Sequence, residues 1–368
     1  MNVRPKIALF LPTLGGGGAE KVFLHLGKGF AERGVEVHLV LARAAGSYLP
    51  SVPDSLQIVD LRAPRVLRSI PALIGYLRKV RPDVVLSALD HANVAALWAQ
   101  KLARVPTRVV ATVHSTPSQA SAHARTLRAR LMRYWMKPFY PWAHAVVAVS
   151  KGVADDLVQW VGVPADKVRV IYNPIITPEL FHKAEEPLDH PWFQLGQPPV
   201  VLGVGRLTTA KDFPTLLRAF ALVRAQRPAR LMILGEGELR AELERLAEQL
   251  GIAEDFALPG FAQNPYPYLK RAAVFVLSSR WEGLPTVLVE ALALGTPVVS
   301  TDCPSGPAEI LDGGRLGTLV AVGDASALAA AILDALSGNA PEREPADYES
   351  FTLEHALNAY SQLCGVEQ

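Results

Sequence analysis

The sequence predicts an α/β protein built as two doubly wound domains, each a parallel sheet covered by helices on both faces. Continuous apolar, β-rich runs alternate with helix-sized amphipathic stretches, the pattern of strands buried on both sides. The alternation comes in two blocks, separated by residues 174–199, which hold Pro174, Pro178, Pro187, Pro191, Pro198 and Pro199 and no sustained periodicity. A chain of 368 residues is also long for one such domain and comfortable for two of roughly 180.

In chain order, the first block reads as strands KIALFLP (6–12), VEVHLVLA (35–42), VVLSAL (84–89), RVVATVH (108–114), AVVAVS (145–150) and VRVIYN (168–173). The second resumes with VVLGVGRL (200–207), RLMILGEG (230–237), AVFVLSS (273–279) and PVVST (297–301). AEKVFLHLGKGFAERG, FPTLLRAFALVRAQ and GELRAELERLAEQLG carry apolar residues at helical period. An irregular stretch, 338–350, precedes a last helical run, FTLEHALNAYSQL. The resulting division is a first domain over 1–180, a second over 181–345, and a terminal helix over 346–368 expected to pack back on the first.

Composition narrows the class. Apolar residues make up 50% and charged residues 20%, as in an ordinary globular enzyme. The apolar run Ile7 to Leu14 is broken by Pro12 and too short to span a bilayer, and the glycines after it do not resemble a cleavage site. A soluble or peripheral protein is expected. Cys303 and Cys364 lie far apart and read as free thiols of a reducing cytosol. The net charge of +2 hides a split, with 23 Lys/Arg against 11 Asp/Glu in 1–180 and 14 against 24 in the remainder. A basic half suits an anionic partner.

The strongest site signal is SSRWEGLPTVLVEALALGTPVVS. Pro285 suits a first helical position, and Gly295 followed by Pro297 suits a helix stop. Between them the helix is apolar on every face except at Glu290, so it is buried, and a buried carboxylate needs a polar partner such as a ligand hydroxyl. A sugar diphosphate at the helix start would meet the amides of Gly283, Leu284, Thr286 and Val287 and the positive end of the dipole. Glu282 would then touch the sugar, and Glu290, roughly 7.5 Å further along the helix, the ribose.

Gly15 to Gly18 follow a strand and open a helix, where backbone can approach an anion closely. A dehydrogenase fingerprint fails here, because its third glycine falls on Glu20 or Lys21. His114 ends the strand RVVATVH, at the carboxyl edge where α/β sheets bind ligands. The chain has no Asp-x-Asp motif and no cluster of His and carboxylates at metal-ligand spacing.

The spacing of Glu282 and Glu290 is the Glu-x7-Glu signature, and the whole ordered set resembles retaining glycosyltransferases of family 4, which have the GT-B fold. The GGGG loop, ATVHS, YNP, GRLTTAKDF, GEGELR and EGLPTVLVE extend the resemblance over nearly the entire chain. It implies two Rossmann-like domains with an interdomain cleft for the donor, a UDP-sugar as co-substrate, retention at the anomeric carbon, and neither metal nor bound cofactor. Arg206 and Lys211 match the pair that grips the donor diphosphate. His114 matches a histidine that touches the donor sugar, and Gly16 and Gly17 fall in a loop that contacts donor phosphate. Glu236 and Phe261, with neighbours Gly237 and Ala262, match walls of the nucleobase pocket. The segment TDCPSGPAEIL resembles bacterial members that build surface glycans on polyprenyl diphosphate carriers, so a glycan or lipid-linked acceptor is implied.

The stretch 123–137 carries Arg125, Arg128, Arg130, Arg133 and Lys137 without an acid, interleaved with Leu127, Leu131, Tyr134 and Trp135. Read as one basic amphipathic helix, it would lie on an anionic membrane surface, and a cytoplasmic enzyme at the inner face of the cell membrane is expected. No nucleic-acid recognition motif is present. The rival readings are a GT-B-related nucleotide-sugar epimerase and a non-catalytic nucleotide-sugar-binding protein. Donor consumption without acceptor tests the first, the product anomer tests an inverting transferase of the same fold, and the intact Glu282, Glu290, Arg206 and Lys211 set argues against the non-catalytic reading.

Overall fold

A computed structural model describes residues 4–366 except 16, 124, 125 and 340, with the backbone alone at 128 and 129. The chain divides into two units, one reaching Pro174 and resuming at Ser350, the other Ile175–Glu349. The joints thus fall at 174 and 349, where the sequence placed them at 180 and 345.

The first unit contains β1 (Lys6–Leu11), β2 (Glu36–Leu41), β3 (Gln57–Asp60), β4 (Val84–Ala88), β5 (Arg108–Val113), β6 (Ala145–Ala148) and β7 (Val168–Val170). They form one sheet in the order β3-β2-β1-β4-β5-β6-β7, and every pairing is parallel. The second unit contains β8 (Val200–Val204), β9 (Arg230–Leu234), β10 (Phe256–Gly260), β11 (Val274–Leu277), β12 (Val298–Thr301) and β13 (Thr318–Val320). Its order is β10-β9-β8-β11-β12-β13, again all parallel. Each sheet changes winding direction once, between β1 and β4 and between β8 and β11. Loops on the two sides of such a switch point diverge and leave a crevice at the carboxyl edge.

β3, β10 and β13 were not anticipated, and all three are edge strands. An edge strand is covered incompletely, and QIVD, FALPG and TLV show only partial burial. The continuous apolar run that reveals a central strand is therefore missing from them.

The expected single helix over 123–137 is two pieces, Leu127–Arg130 and Met132–Phe139. At the break, Tyr134 N–H bonds Leu131 O three residues back, a tighter turn than the α-helix makes. The second piece sets Met136 into the core while Leu131, Tyr134 and Trp135 stay exposed. Arg125 lies outside the described residues, as does the side chain of Arg128.

The terminal helix Leu353–Cys364 completes the core of the first unit, placing Ala356, Leu357, Tyr360 and Cys364 among Phe23, Leu26 and Phe30. It lies close against helix Gly18–Glu32 because Gly29 has no side chain. A Cβ there would sit 2.4 Å from Leu357 Cδ1. Gly29→Val should cost about 1–3 kcal/mol through overpacking, read as a lower melting temperature, and Leu357→Ala in the same chain should return part of the loss. A valine variant that melts like the parent would show that the two helices have room to spare.

Candidate functional site

In the second unit the residues singled out by sequence gather on the loops that leave β8 and β11 at the switch point. The Lys211 ammonium reaches Glu282 Oε1 at 2.6 Å, across 71 residues of sequence. Ser279 Oγ donates to the same oxygen at 2.6 Å. Ser278 Oγ donates to Lys211 O at 2.8 Å, and Arg280 N–H to Ala210 O at 2.8 Å, so the two loops are stitched along their length. Asp212 adds a second bridge. It sits at φ +46°, its buried carboxylate accepting from Thr215 Oγ1 at 2.9 Å and pairing with Arg280 Nε at 3.0 Å. Asp212, Arg280, Ser278 and Ser279 escaped the sequence reading, because each looks like an ordinary loop residue until its partner is known. Arg206, by contrast, is exposed, and its side chain has no hydrogen bond or ion pair among the described residues.

Glycine is required where the loops after β8 and β9 cross. A Cβ on Gly235 would lie 1.9 Å from Gly205 O. Cys303, after β12, has its thiol pushed up to about 12, by burial first and then by the Glu282 carboxylate. It is a neutral neighbour, unsuited to nucleophilic chemistry at physiological pH.

Helix Thr286–Ala293 is capped as a Schellman motif, with Gly295 N–H on Leu292 O, Thr296 N–H on Ala291 O, and Gly295 at φ +80°. Pro285 is its N-cap, in extended geometry, and not its first helical residue. The chain enters the helix one residue later, and Pro285 packs beside Gly306, where a Cβ would fall 2.5 Å from the proline ring. Among the described residues, the amides of Gly283, Leu284, Thr286 and Val287 donate no backbone hydrogen bond, so the anion-binding end of the helix is available. Glu290 is 8% exposed. One polar group that meets it is a protein hydroxyl, Tyr266 Oη, which donates to Glu290 Oε1 at 3.3 Å. Tyr266 is set by its own N–H on Asn264 Oδ1, and NPYPYL offered no hint of that partnership.

Glu236 is gripped by Arg240, at 3.0 Å between Oε1 and the guanidinium. Phe261, beyond β10, is 78% exposed, an aromatic face open to a planar ligand.

In the first unit the loop after β1 is braced by the one after β2. Leu14 N–H donates to Ala45 O at 2.8 Å, and Gly46, at φ +127°, passes so close that a Cβ would lie 2.0 Å from Leu14 O. Gly16 lies outside the described residues. Gly17 is the N-cap of helix Gly18–Glu32, and a Cβ there would fall 2.5 Å from Glu20 Oε2. Glu20 therefore curls over the helix start, where the sequence suggested an anion.

His114 stands behind β5 with a determinable tautomer. Thr112 Oγ1 lies 2.9 Å from Ser87 O and 3.0 Å from His114 Nε2. A hydroxyl has one proton and a carbonyl only accepts, so both contacts are hydrogen bonds only when Nε2 carries the imidazole proton. Nδ1 is then a lone-pair acceptor, buried and without a hydrogen-bond partner among the described residues. Burial pushes the imidazole down to about 4. The ring is neutral at physiological pH and offers Nδ1 to a hydroxyl proton. A phosphate, which brings no proton at that pH, would gain nothing there.

Behind it runs a buried polar chain that the sequence did not reveal. Asn93 Nδ2 donates to Thr112 O at 2.9 Å and to Tyr140 Oη at 3.1 Å, and Ser87 Oγ donates to Asn93 Oδ1 at 2.6 Å. Tyr140 Oη donates in turn to Asp90 Oδ1 at 3.1 Å. The chain ties β4 to β5 beside His114. Burial raises the Asp90 carboxyl to about 6, opposed by the Tyr140 hydrogen bond.

Comparison with known proteins places the chain among glycosyltransferases. The model of the family described as Glycosyl transferases group 1 matches residues 188–350, and that of Glycosyltransferase Family 4 matches 16–178. An N-acetylgalactosamine-N,N'-diacetylbacillosaminyl-diphospho-undecaprenol 4-alpha-N-acetylgalactosaminyltransferase of Campylobacter jejuni is 31% identical over 327 residues, covering 86% of each chain. An uncharacterized glycosyltransferase of Methanocaldococcus jannaschii is 30% identical over 254 residues, covering 67% of this chain and 62% of its own length. Among solved structures, an Anabaena protein in complex with UDP-glucose superposes with a TM-score of 0.70 at 20% identity, over 98% of this chain and 96% of that one.

The Asp90 network gives a pH test. Its carboxyl holds its proton more tightly folded, to about 6, than unfolded, near 3.8, so the ionised form burdens the fold above pH 6 and the burden is gone below 3.8. Asp90→Asn, which still accepts from Tyr140, should raise the melting temperature at neutral pH. The gain should shrink as pH falls through about 6 and disappear below 3.8. A gain independent of pH would remove Asp90 as its source.

Proposed function

We propose that this chain, which belongs to the family 4 glycosyltransferases of GT-B fold, moves a hexose or N-acetylhexosamine from a UDP-sugar to a glycan or polyprenyl-diphosphate-linked acceptor in surface polysaccharide synthesis, with retention and without a metal. The observation that carries the reading is the meeting of Lys211 and Glu282 beside the open amides of the 286–293 helix. The Campylobacter relative, named for a diphospho-undecaprenol substrate, supports the acceptor class. The Anabaena neighbour, solved with UDP-glucose, supports the donor.

The donor diphosphate sits on the amides of Gly283, Leu284, Thr286 and Val287 and draws Arg206 and Lys211 to its oxygens. Those cations and the helix dipole take the charge that a metal would otherwise take as UDP departs. Glu282, sharing or releasing Lys211, accepts from sugar hydroxyls. Glu290, steadied by Tyr266, accepts from the ribose, and Phe261 lies against the base. In the first unit, neutral His114 offers Nδ1 to a hydroxyl. In the chemical step the bond between the anomeric carbon and the phosphate oxygen breaks. The acceptor oxygen bonds that carbon from the same face and passes its proton to the departing phosphate oxygen. Neither a carboxylate nucleophile nor the neutral His114 is needed as a base.

Transfer from a panel of UDP-sugars, with the product anomer read by NMR, tests this. Arg206→Ala should cut turnover by about 100-fold or more without changing the melting temperature, and excess chelator should leave the parent's rate unchanged. Full activity in the Arg206 variant would put the diphosphate elsewhere. Loss in chelator that Mg²⁺ restores would return a metal to the mechanism.

The membrane surface belongs to the same proposal. Among the described residues no helix is long and apolar enough to cross a bilayer, while Arg130 and Lys137 are exposed beside Leu131, Tyr134 and Trp135. Each basic group near an anionic surface adds about 1 kcal/mol, screened by salt. Binding to phosphatidylglycerol vesicles should fall steeply with ionic strength, and Arg130→Glu with Lys137→Glu should weaken it. Vesicle binding insensitive to salt would remove the basic residues as its cause, and none at low salt would detach the enzyme from the bilayer.

A further inference from the structure

The excess positive charge of the first unit is confined to one span. Residues 61–154 hold fifteen Lys/Arg and two acids, Asp83 and Asp90, whereas the rest of 1–180 holds eight and nine. On this span lies an apolar pocket of about 190 Å³, lined by Leu67, His91, Val94, Met132 and Trp135. Its walls come from the turn Val66–Ser69 and the helices Asp90–Ala103 and Met132–Phe139.

The apolar surface continues out of the pocket. Val94, Trp98 and Leu102 are spaced four residues apart, so they form one stripe along helix Asp90–Ala103, roughly 12 Å long at the usual rise. Trp98 and Leu102 are 37% and 49% exposed. Trp98 rests edge-on against Phe139 at 5.2 Å, and Phe139 against Trp142 at 5.0 Å, which makes a firm aromatic floor. Cations rim this surface. Arg65 and Arg68 flank Leu67 in sequence, Lys137 follows Trp135, and Lys101 stands over the Trp142 ring at 5.7 Å.

An apolar cavity of about 150 Å³ is enough to take a benzene molecule, so this one has room for a branched five-carbon unit, and the stripe has room for more. Exposed apolar surface joined to a cationic rim fits an amphiphile with an anionic head. A second copy of the chain is a poor occupant, since like-charged rims would face each other across the contact. We propose that the pocket and stripe hold the first isoprene units of a polyprenyl diphosphate-linked acceptor, with the basic rim turned to its phosphates. This rests on the lipid-linked acceptor reading above.

Calorimetry on the full chain with farnesyl phosphate and inorganic phosphate as probes tests it. Farnesyl phosphate should bind about tenfold or more tighter, from the carbon it buries. Leu67→Gln and Trp135→Gln, at half-exposed positions that leave the core intact, should bring farnesyl phosphate down to the affinity of phosphate without altering phosphate itself. Equal affinities for the two probes, or an unchanged preference in both variants, would overturn the proposal. So would straight-chain dodecyl phosphate binding as tightly as farnesyl phosphate, which would assign the pocket to membrane lipid. UDP binding on the same samples separates the two ideas. If UDP binds and the farnesyl preference is absent, the pocket alone is wrong. If UDP does not bind, the transferase reading falls, and the farnesyl preference still decides the pocket.

Discussion

Lys211 and Glu282 meet because β8 and β11 run parallel and adjacent, so that both strands deliver their carboxyl ends to one edge of the sheet. Parallel pairing forbids a tight hairpin, so every connection must cross over, and residues distant in sequence land side by side. At most positions along that edge successive loops fold the same way and cover one another. At the switch between β8 and β11 they part. Two bridges span the parting loops, Lys211 to Glu282 and Asp212 to Arg280, with the close approach of Gly205 and Gly235 in the neighbouring loops. Neither bridge needs to add much net stability, since half-buried pairs recover little beyond their desolvation. Their effect is geometric: each fixes the direction in which a charged loop presents itself.

That division between what packs and what bridges explains which features were legible in the sequence. Nine interior strands announced themselves as apolar runs because both of their faces are covered, whereas of the four edge strands, where coverage is partial, only β7 was read and β3, β10 and β13 were missed. Glu290 was legible because it interrupts an otherwise wholly apolar helix, whereas the glycines that pass closest to backbone, Gly46 and Gly235, were not singled out. The bridging partners were not legible. Tyr266, Asp212, Arg280 and Asn93 are polar residues in polar or mixed surroundings, and their roles depend on contacts made across the fold. Periodicity carries no information about such pairs. The basic stretch was read as one helix for a related reason: its charges keep helical spacing through the break at Leu131, so the pattern hides the turn.

The first unit solves a different physical problem. His114 is kept neutral and in one tautomer, and two separate devices do this. Burial removes the charge, and Thr112, committed to Ser87 O, dictates which nitrogen keeps the proton. The Asn93 and Tyr140 chain stands behind Thr112 and locks the carboxyl ends of β4 and β5 together, at the expense of a carboxyl, Asp90, held in surroundings that disfavour its charge. A fully satisfied polar chain of this kind is rigid, because any rotation leaves a buried group unpaired. Rigidity is what an orphaned acceptor such as His114 Nδ1 requires, since its direction is all it has to offer a ligand.

The charge split then poses a question that magnitudes can decide. The half of the chain from 181 onward, which holds Arg206, Lys211 and the 286–293 helix, carries 14 Lys/Arg against 24 Asp/Glu, so its distant field opposes an anionic ligand. At physiological ionic strength the Debye length is about 8 Å, and the scattered surface acids are largely screened at the carboxyl edge. Direct contacts escape that screening. A cation at hydrogen-bond distance and a set of unpaired amides at a helix start act where water is partly excluded, and charge-assisted bonds there are about twice as strong as neutral ones. Local arrangement therefore outweighs net charge for a ligand that must be held at one point. For a surface that must be held over a broad area the reverse is true, because many weak attractions add, and the excess of cations in residues 61–154 lies where such addition is possible. Charge is thus arranged for point contact in one unit and for a field in the other.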